Sequence, residues 1–135
     1  MNCPKCHGAL HEMEIEGVKV DFCSPCKGIW FDKDEMAFMA ELPADLPEAD
    51  VQQSAVATDF DCPCCKNVKL QSMKFVKAED LLIDRCPACQ GIWLDQGELP
   101  KVEKIAAHIG DAKSKILFVS KQLGKRGYQI LGVQA

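Results

Sequence analysis

Four short Cys-x2-Cys arms govern what this chain can fold into. They form two copies of one array, Cys3/Cys6 with Cys23/Cys26 and Cys62/Cys65 with Cys86/Cys89, with sixteen residues between the arms in the first copy and twenty in the second. Two chelating arms carrying four soft sulfurs are how a small protein surrounds a tetrahedral zinc ion. The spacing therefore predicts two zinc ions, one held by Cys3, Cys6, Cys23 and Cys26 and one by Cys62, Cys65, Cys86 and Cys89. Thiolate sites of this kind accept iron as well as zinc.

Each array with its flanks is a module of roughly 40 residues, a size at which an apolar core rarely suffices alone. Structural zinc supplies about 10–16 kcal/mol of apparent binding energy in comparable peptides, so each module is expected to be largely unfolded without metal. Disulfides would be the competing staple, but they need an oxidising compartment and a leader to reach it. With Cys3 already a ligand candidate, no such leader is expected. No apolar run approaches the roughly 18–20 residues of a membrane span. A soluble, cytoplasmic, reduced protein is the expectation, with no membrane partner.

The ninth cysteine, Cys64, occupies the slot that Lys5 fills in the first copy. It reads as a non-ligating thiol between two ligands, the alternative being a substitute ligand or a redox-reactive sulfur.

The repeat extends beyond the cysteines. Residues Gly28, Ile29, Trp30, Phe31 and Asp32 return as Gly91, Ile92, Trp93, Leu94 and Asp95, with Glu35 and Glu98 three residues after each aspartate. Between the arms, Met13 and Ile15 alternate with charges, as do Val18, Val20 and Phe22, and Glu16-Gly17 breaks the pattern as a tight hairpin turn. In the second copy Met73 and Phe75 face Leu81 and Ile83 across a longer turn. Asp32 with Glu35 and Asp95 with Glu98 predict capping boxes. The first opens a short helix through Met36, Phe38 and Met39. The second opens a helix through Val102, Ile105, Ala106 and Ile109, whose onset Pro100 is expected to delay. Gly110 ends that stretch, and a further helix runs through Ile116, Val119 and Leu123.

The predicted architecture is a small metal-stabilised α+β fold made of two tandem zinc ribbons. Each ribbon is a β-hairpin with zinc knuckles, followed by a short helix. The first covers 1–41 and the second 59–103. A flexible acidic linker, 42–58, joins them and lets them tumble semi-independently. A helical basic extension covers 104–135. Gly8, Gly28, Asn67 and Gly91 stand two residues past the outer cysteines, where positive φ is expected, and Pro4, Pro25, Pro63 and Pro87 stiffen the arms.

The run Cys-Pro-x-Cys, hairpin, Cys-x-x-Cys-x-Gly-Ile-Trp-(Leu/Phe)-Asp-x-x-Glu resembles the bacterial TFIIB-type zinc-finger domain, named for the zinc ribbon of the eukaryotic general transcription factor. Both repeats match, over residues 3–40 and 62–103, about 60 per cent of the chain. The resemblance implies the zinc-ribbon fold, the same eight cysteine ligands and a possible link to transcription. Beside it, Trp30 and Trp93 read as packing lids over hairpin and knuckle. Asp32, Glu35, Asp95 and Glu98 read as caps, since no histidine, serine or apolar pocket accompanies them as catalytic partners. His7 and His11 are unneeded beside four thiolates. Sites closed by four thiolates leave no open position for catalysis, so a non-enzyme is expected.

Charge is uneven along the chain. Residues 1–50 carry a net −7, 51–100 a net −2 and 101–135 a net +5. Each filled site contributes −2, which takes the formal total from −4 to −8. An acidic first ribbon is a poor grip for phosphates. The leading expectation is a zinc-binding, non-enzymatic adaptor contacting an unknown protein partner. A second is nucleic-acid binding through Lys113, Lys115, Lys121, Lys125 and Arg126. A third is a redox-sensitive zinc protein, motivated by Cys64.

Overall fold

The computed structural model of the chain describes residues 1–109. The alternating segments of the first ribbon form His11–Ile15 (β1) and Val18–Phe22 (β2), antiparallel, with Met13 opposite Val20 and Ile15 opposite Val18. Glu16 and Gly17, at φ of 50° and 83°, make the doubly left-handed turn whose twist suits a hairpin. Ile29–Phe31 (β3) adds to β2, and Glu35–Ala40 (α1) follows. In the second ribbon Lys69–Lys74 (β5), Leu82–Arg85 (β6) and Ile92–Leu94 (β7) repeat this pattern, with Met73 opposite Ile83. Residues 98–109 are helical (α2).

The expectation of two semi-independent modules is overturned. Strand β3 pairs antiparallel with β7, placing Ile29 opposite Leu94, Trp30 opposite Trp93 and Phe31 opposite Ile92. Among the described residues the two ribbons thus share one seven-stranded sheet, in the order β1-β2-β3-β7-β6-β5-β4, where β4 is Val56–Asp61. The short Ile-Trp-(Phe/Leu) strand leaves its outer edge unpaired within a single ribbon, and a second copy of itself satisfies those main-chain groups.

The segment 42–58 is likewise not a flexible linker. Leu42, Leu46 and Val51 are buried in the core, Ala49–Ser54 winds a short 3-10 helix, and Val56–Asp61 (β4) joins the sheet at β5. Its apolar residues, spaced among prolines and acids, find a shared core large enough to receive them. The second ribbon's sheet accordingly starts at Val56, and α2 runs through the expected boundary at 103.

Period-two alternation divides the sheet into two faces. On one, Val18, Val20, Phe31, Met73, Ile83, Ile92 and Leu94 pack with Met36 and Met39 of α1 and with Val102 and Ala106 of α2 in a single core spanning both ribbons. Phe38, on the outer side of α1, is 60% exposed. The other face carries Cys3, Cys23, Cys62 and Cys86 around Trp30, Trp93 and Leu70. Pro100 does not delay α2, which is helical from residue 98. In a first turn its missing N–H is one that has no intrahelical partner anyway.

The expected capping boxes are half made. Glu35 Oε1 accepts the Asp32 amide at 2.9 Å and Glu98 Oε1 the Asp95 amide at 2.8 Å. The aspartate side chains instead accept the indole N–H groups of Trp30 (3.1 Å) and Trp93 (2.9 Å). The start of α1 is capped from a distance by Asp45, whose carboxylate accepts the amides of Asp34 (2.7 Å) and Ala37 (2.8 Å). Gly110, expected to end α2, the further helix expected through Ile116, Val119 and Leu123, and the basic residues Lys113, Lys115, Lys121, Lys125 and Arg126 lie outside the described residues.

Candidate metal centres

Each array folds into one cluster of sulfurs. Cys3 and Cys6 approach Cys23 and Cys26 because the tip of one arm and the β2–β3 connection end side by side, and the second ribbon repeats this. Within each group of four, Cys3, Cys6, Cys23, Cys26 and Cys62, Cys65, Cys86, Cys89, the Sγ atoms all lie within 4.8 Å of one another. Cys3–Cys26 and Cys6–Cys23 are 3.9 and 3.6 Å apart, and Cys62–Cys89 and Cys65–Cys86 are 3.7 and 3.9 Å. A zinc ion with sulfurs at about 2.3 Å has tetrahedral edges of about 3.8 Å. The donor set and its spacing fit zinc in both groups.

Main-chain amides point at these sulfurs. Lys5 and Cys6 donate to Cys3 Sγ at 3.3 and 3.4 Å, and Gly8 to Cys6 Sγ at 3.4 Å. Cys64 and Cys65 donate to Cys62 Sγ at 3.3 Å, and Ala88 and Cys89 to Cys86 Sγ at 3.4 Å. Such amides disperse thiolate charge. The Gly8 amide, with Cys26 and Cys23 beside it, lowers the Cys6 thiol to about 7. The neighbouring Cys6 sulfur and burial then push Cys26 up to about 12. In the second group, burial foremost pushes Cys62 up and takes Cys89 to about 11. In each group one thiol is lowered, Cys6 and Cys86, while two of its neighbours, Cys23 with Cys26 and Cys62 with Cys89, are raised, so a full set of thiolates calls for a cation at the centre.

The knuckles place positive φ differently from expectation. His7, Lys27 and Gln90 adopt φ of 67°, 64° and 66°, one residue before Gly8, Gly28 and Gly91; only Asn67, at 60°, is where the spacing put it. Glycine at 28 and 91 serves space instead. A Cβ on Gly28 would stand 2.1 Å from Trp93 Cζ2, and one on Gly91 2.2 Å from Trp30 Cζ2. Trp30 and Trp93 are therefore lids, but each covers the knuckle of the other ribbon, and both are fully buried.

The model of the transcription factor zinc-finger family matches residues 2–40 and 61–105. The chain belongs to that family. It carries two tandem copies of the domain, and its two four-cysteine groups are each able to hold a zinc ion. No curated protein and no solved structure matches the chain significantly. Among the described residues no helix is long and apolar enough to cross a membrane.

Cys64 lies outside both sulfur groups. Its Sγ is 3.3 Å from Met1 Sδ and 4.0 Å from Asp32 Oδ1. Partial burial and the Asp32 carboxylate push its thiol up, which disfavours the thiolate that redox chemistry requires.

Two features of this transcription factor zinc-finger tandem escaped the reading of the sequence. Lys5, in the first knuckle, reaches across to the second ribbon. Its Nζ is 3.2 Å from Asp84, 3.7 Å from Asp95 and 3.8 Å from the centroid of the Phe60 ring. Asp21 and Asp84 are equivalent in the repeat, as Lys5 and Cys64 are. That uneven pairing of a lysine with a cysteine was the available signal. Burial raises the carboxyl of Asp84, opposed by Lys5; at Asp21 burial, Asp32 and Glu12 all raise it. The capping role of Asp45 left no signal, since it comes from outside the repeat.

Proposed function

We propose that this chain is a zinc-stapled, non-catalytic adaptor that uses the outer surfaces of its double ribbon to contact another protein, in a cytoplasmic setting linked to transcription. The observation that carries this reading is the use made of each centre. Four sulfurs surround each metal position, leaving no place for a substrate at a zinc ion. The tryptophans that flank the knuckles are consumed in holding one ribbon to the other. The metal thus supports a sheet whose two outer strands among the described residues are β1 and β4. Membership of a family described as transcription factor zinc-fingers supports the setting.

The test is affinity capture with the zinc-loaded full chain from extract of the source cells, followed by mass spectrometry. A specific protein partner, lost when zinc is stripped, is the expected result. Recovery of nucleic acid alone, with a steep salt dependence abolished by removing residues 111–135, would replace this reading with the nucleic-acid one.

A further inference from the structure

The two ribbons are equivalent strand for strand, β1 with β5, β2 with β6 and β3 with β7, yet their outer edges are treated differently. In the second ribbon the residues just before Cys62 form β4, which lies antiparallel along β5 with Val56 opposite Ser72 and Asp61 opposite Lys69. In the first ribbon the matching residues before Cys3 contribute one bridge, Asn2 to Ala9, the counterpart of Asp61 to Lys69. Beyond that bridge, β1 has β2 as its neighbour and, among the described residues, nothing on its other side. The two-residue turn makes Ile15 and Val18 the hydrogen-bonded closing pair, and alternation extends this to Met13 and His11. The main-chain N–H and C=O groups of Glu12 and Glu14 therefore point away from β2, toward the open edge.

We propose that the β1 edge is a docking site for an extended segment of a partner protein that carries lysine or arginine at alternate positions. The proposal rests on the adaptor reading and names its surface and its ligand chemistry. The second ribbon supplies the precedent. There β4 sets Val56 opposite Ser72, the equivalent of Glu12, and at the far end of the pairing Asp61 meets Lys69 at 2.7 Å. On β1 the outward positions are acidic: Glu12 and Glu14 are exposed, Glu12 stands opposite Asp21, and neither glutamate forms an ion pair among the described residues. Lys19, across from Glu14, offsets part of this charge and leaves the strand net acidic. Main-chain bonds supply affinity in strand addition, and alternate side chains supply selection. A segment with cations on the Glu12/Glu14 face and small apolar residues beside Met13 meets both requirements.

The probe is a fluorescein-labelled eight-residue peptide alternating lysine with valine or threonine, titrated into the zinc-loaded full chain and read by fluorescence polarisation. Saturable binding is expected, with affinity at least tenfold weaker for a peptide of the same charge whose alternate amides are N-methylated. Glu14→Pro, which removes an outward N–H, and Glu12→Lys combined with Glu14→Lys should each cost at least tenfold. The charge-reversed variant guards against a proline that merely unfolds the hairpin. Amide exchange at residues 12 and 14 should slow when the peptide is bound. Equal affinity for the N-methylated peptide, no binding, or binding that appears only after removal of residues 110–135 would each overturn the proposal. A partner protein from extract that is captured equally by the Glu12→Lys, Glu14→Lys variant would refute this edge and leave the adaptor reading standing.

Discussion

The indole of Trp93 rests on Gly28 of the opposite ribbon so closely that a single methyl group there would stand 2.1 Å from ring carbon Cζ2. The reciprocal contact puts Trp30 on Gly91. Neither ring can move aside, since both are fully buried and their N–H groups are tied to Asp32 and Asp95. Gly28→Ala and Gly91→Ala should each cost at least about 3 kcal/mol, the upper end of ordinary overpacking. Gly8→Ala meets only Cys6 Sγ, at 3.4 Å, and should cost less than about 1 kcal/mol. Urea unfolding at fixed free zinc, followed by tryptophan emission, separates the two classes. A Gly28→Ala protein as stable as Gly8→Ala would mean that the ribbons do not meet through these rings.

Lys5 and Asp84 provide a second link between ribbons. Asp84 is buried, and the lysine partly so. Removing Lys5 strands a carboxylate beneath the first knuckle, whereas removing both charges does not. Lys5→Ala should destabilise by about 1–3 kcal/mol. Adding Asp84→Asn to that variant should restore a good part of the loss. A double-mutant cycle in which the two effects simply add would remove this pair from the account.

Asp45 holds α1 from outside the repeat, through the amides of Asp34 and Ala37. Asp45→Ala leaves two amides at a helix start without their acceptor and should cost about 2 kcal/mol. Asp45→Asn retains one carbonyl acceptor and should cost less. Thermal melting compares them. Loss of α1 packing should also expose Met36 and Met39, which faster oxidation to the sulfoxide would register.

What could be read from the chain was local, and what could not was the relation between copies. The two four-cysteine groups, the Met13–Val20 and Met73–Ile83 alternation and the helical spacing of Val102 and Ala106 all express short-range periodicity. The pairing of β3 with β7 does not. It rests on a three-residue strand that reads equally well as the end of a hairpin, and only its repetition hints that it pairs with itself. For the same reason residues 42–58, with Pro43 and Pro47, carried the composition of a linker. Leu42, Leu46 and Val51 become core residues once two half-cores are joined. The glycines at 28 and 91 were noticed for their freedom in φ, yet their missing side chains matter for the space they leave to a partner ring.

Glu98 supplies a pH test. Burial, with Asp95 and Asp84 nearby, raises its carboxyl from the ordinary 4.5 to about 7, although the Asp95 amide works in the other direction. Between those values the folded protein keeps a proton that the unfolded chain has lost, so stability falls as pH rises from about 4.5 to 7 and the penalty is complete above 7. Glu98→Gln stays neutral and keeps an acceptor for the Asp95 amide. Its stability advantage over the parent should be small near pH 4.5, grow through pH 7 and then level. Acid release of zinc affects both proteins alike and cancels in the comparison. A difference that does not vary with pH would show that Glu98 titrates normally.

The crossed tryptophans also join the two metal centres. Gly91 lies two residues past Cys89 and supports Trp30; Trp30 stands four residues past Cys26 on the strand that leaves the first centre. If the second knuckle opens, Trp30 loses its floor and β3 loses β7. The first centre is then carried by a hairpin alone. Cys62→Ala with Cys65→Ala, which removes half of the second sulfur group, should therefore weaken zinc binding at Cys3, Cys6, Cys23 and Cys26 by at least about tenfold, equivalent to about 1.4 kcal/mol of coupling. Competition with a chromophoric chelator measures that affinity, and a red shift in Trp30 emission reports the loss of its cover. Native mass spectrometry should find two zinc ions on the parent protein. An unchanged first-site affinity in the variant would show two metal centres that merely share a chain, each stable on its own terms.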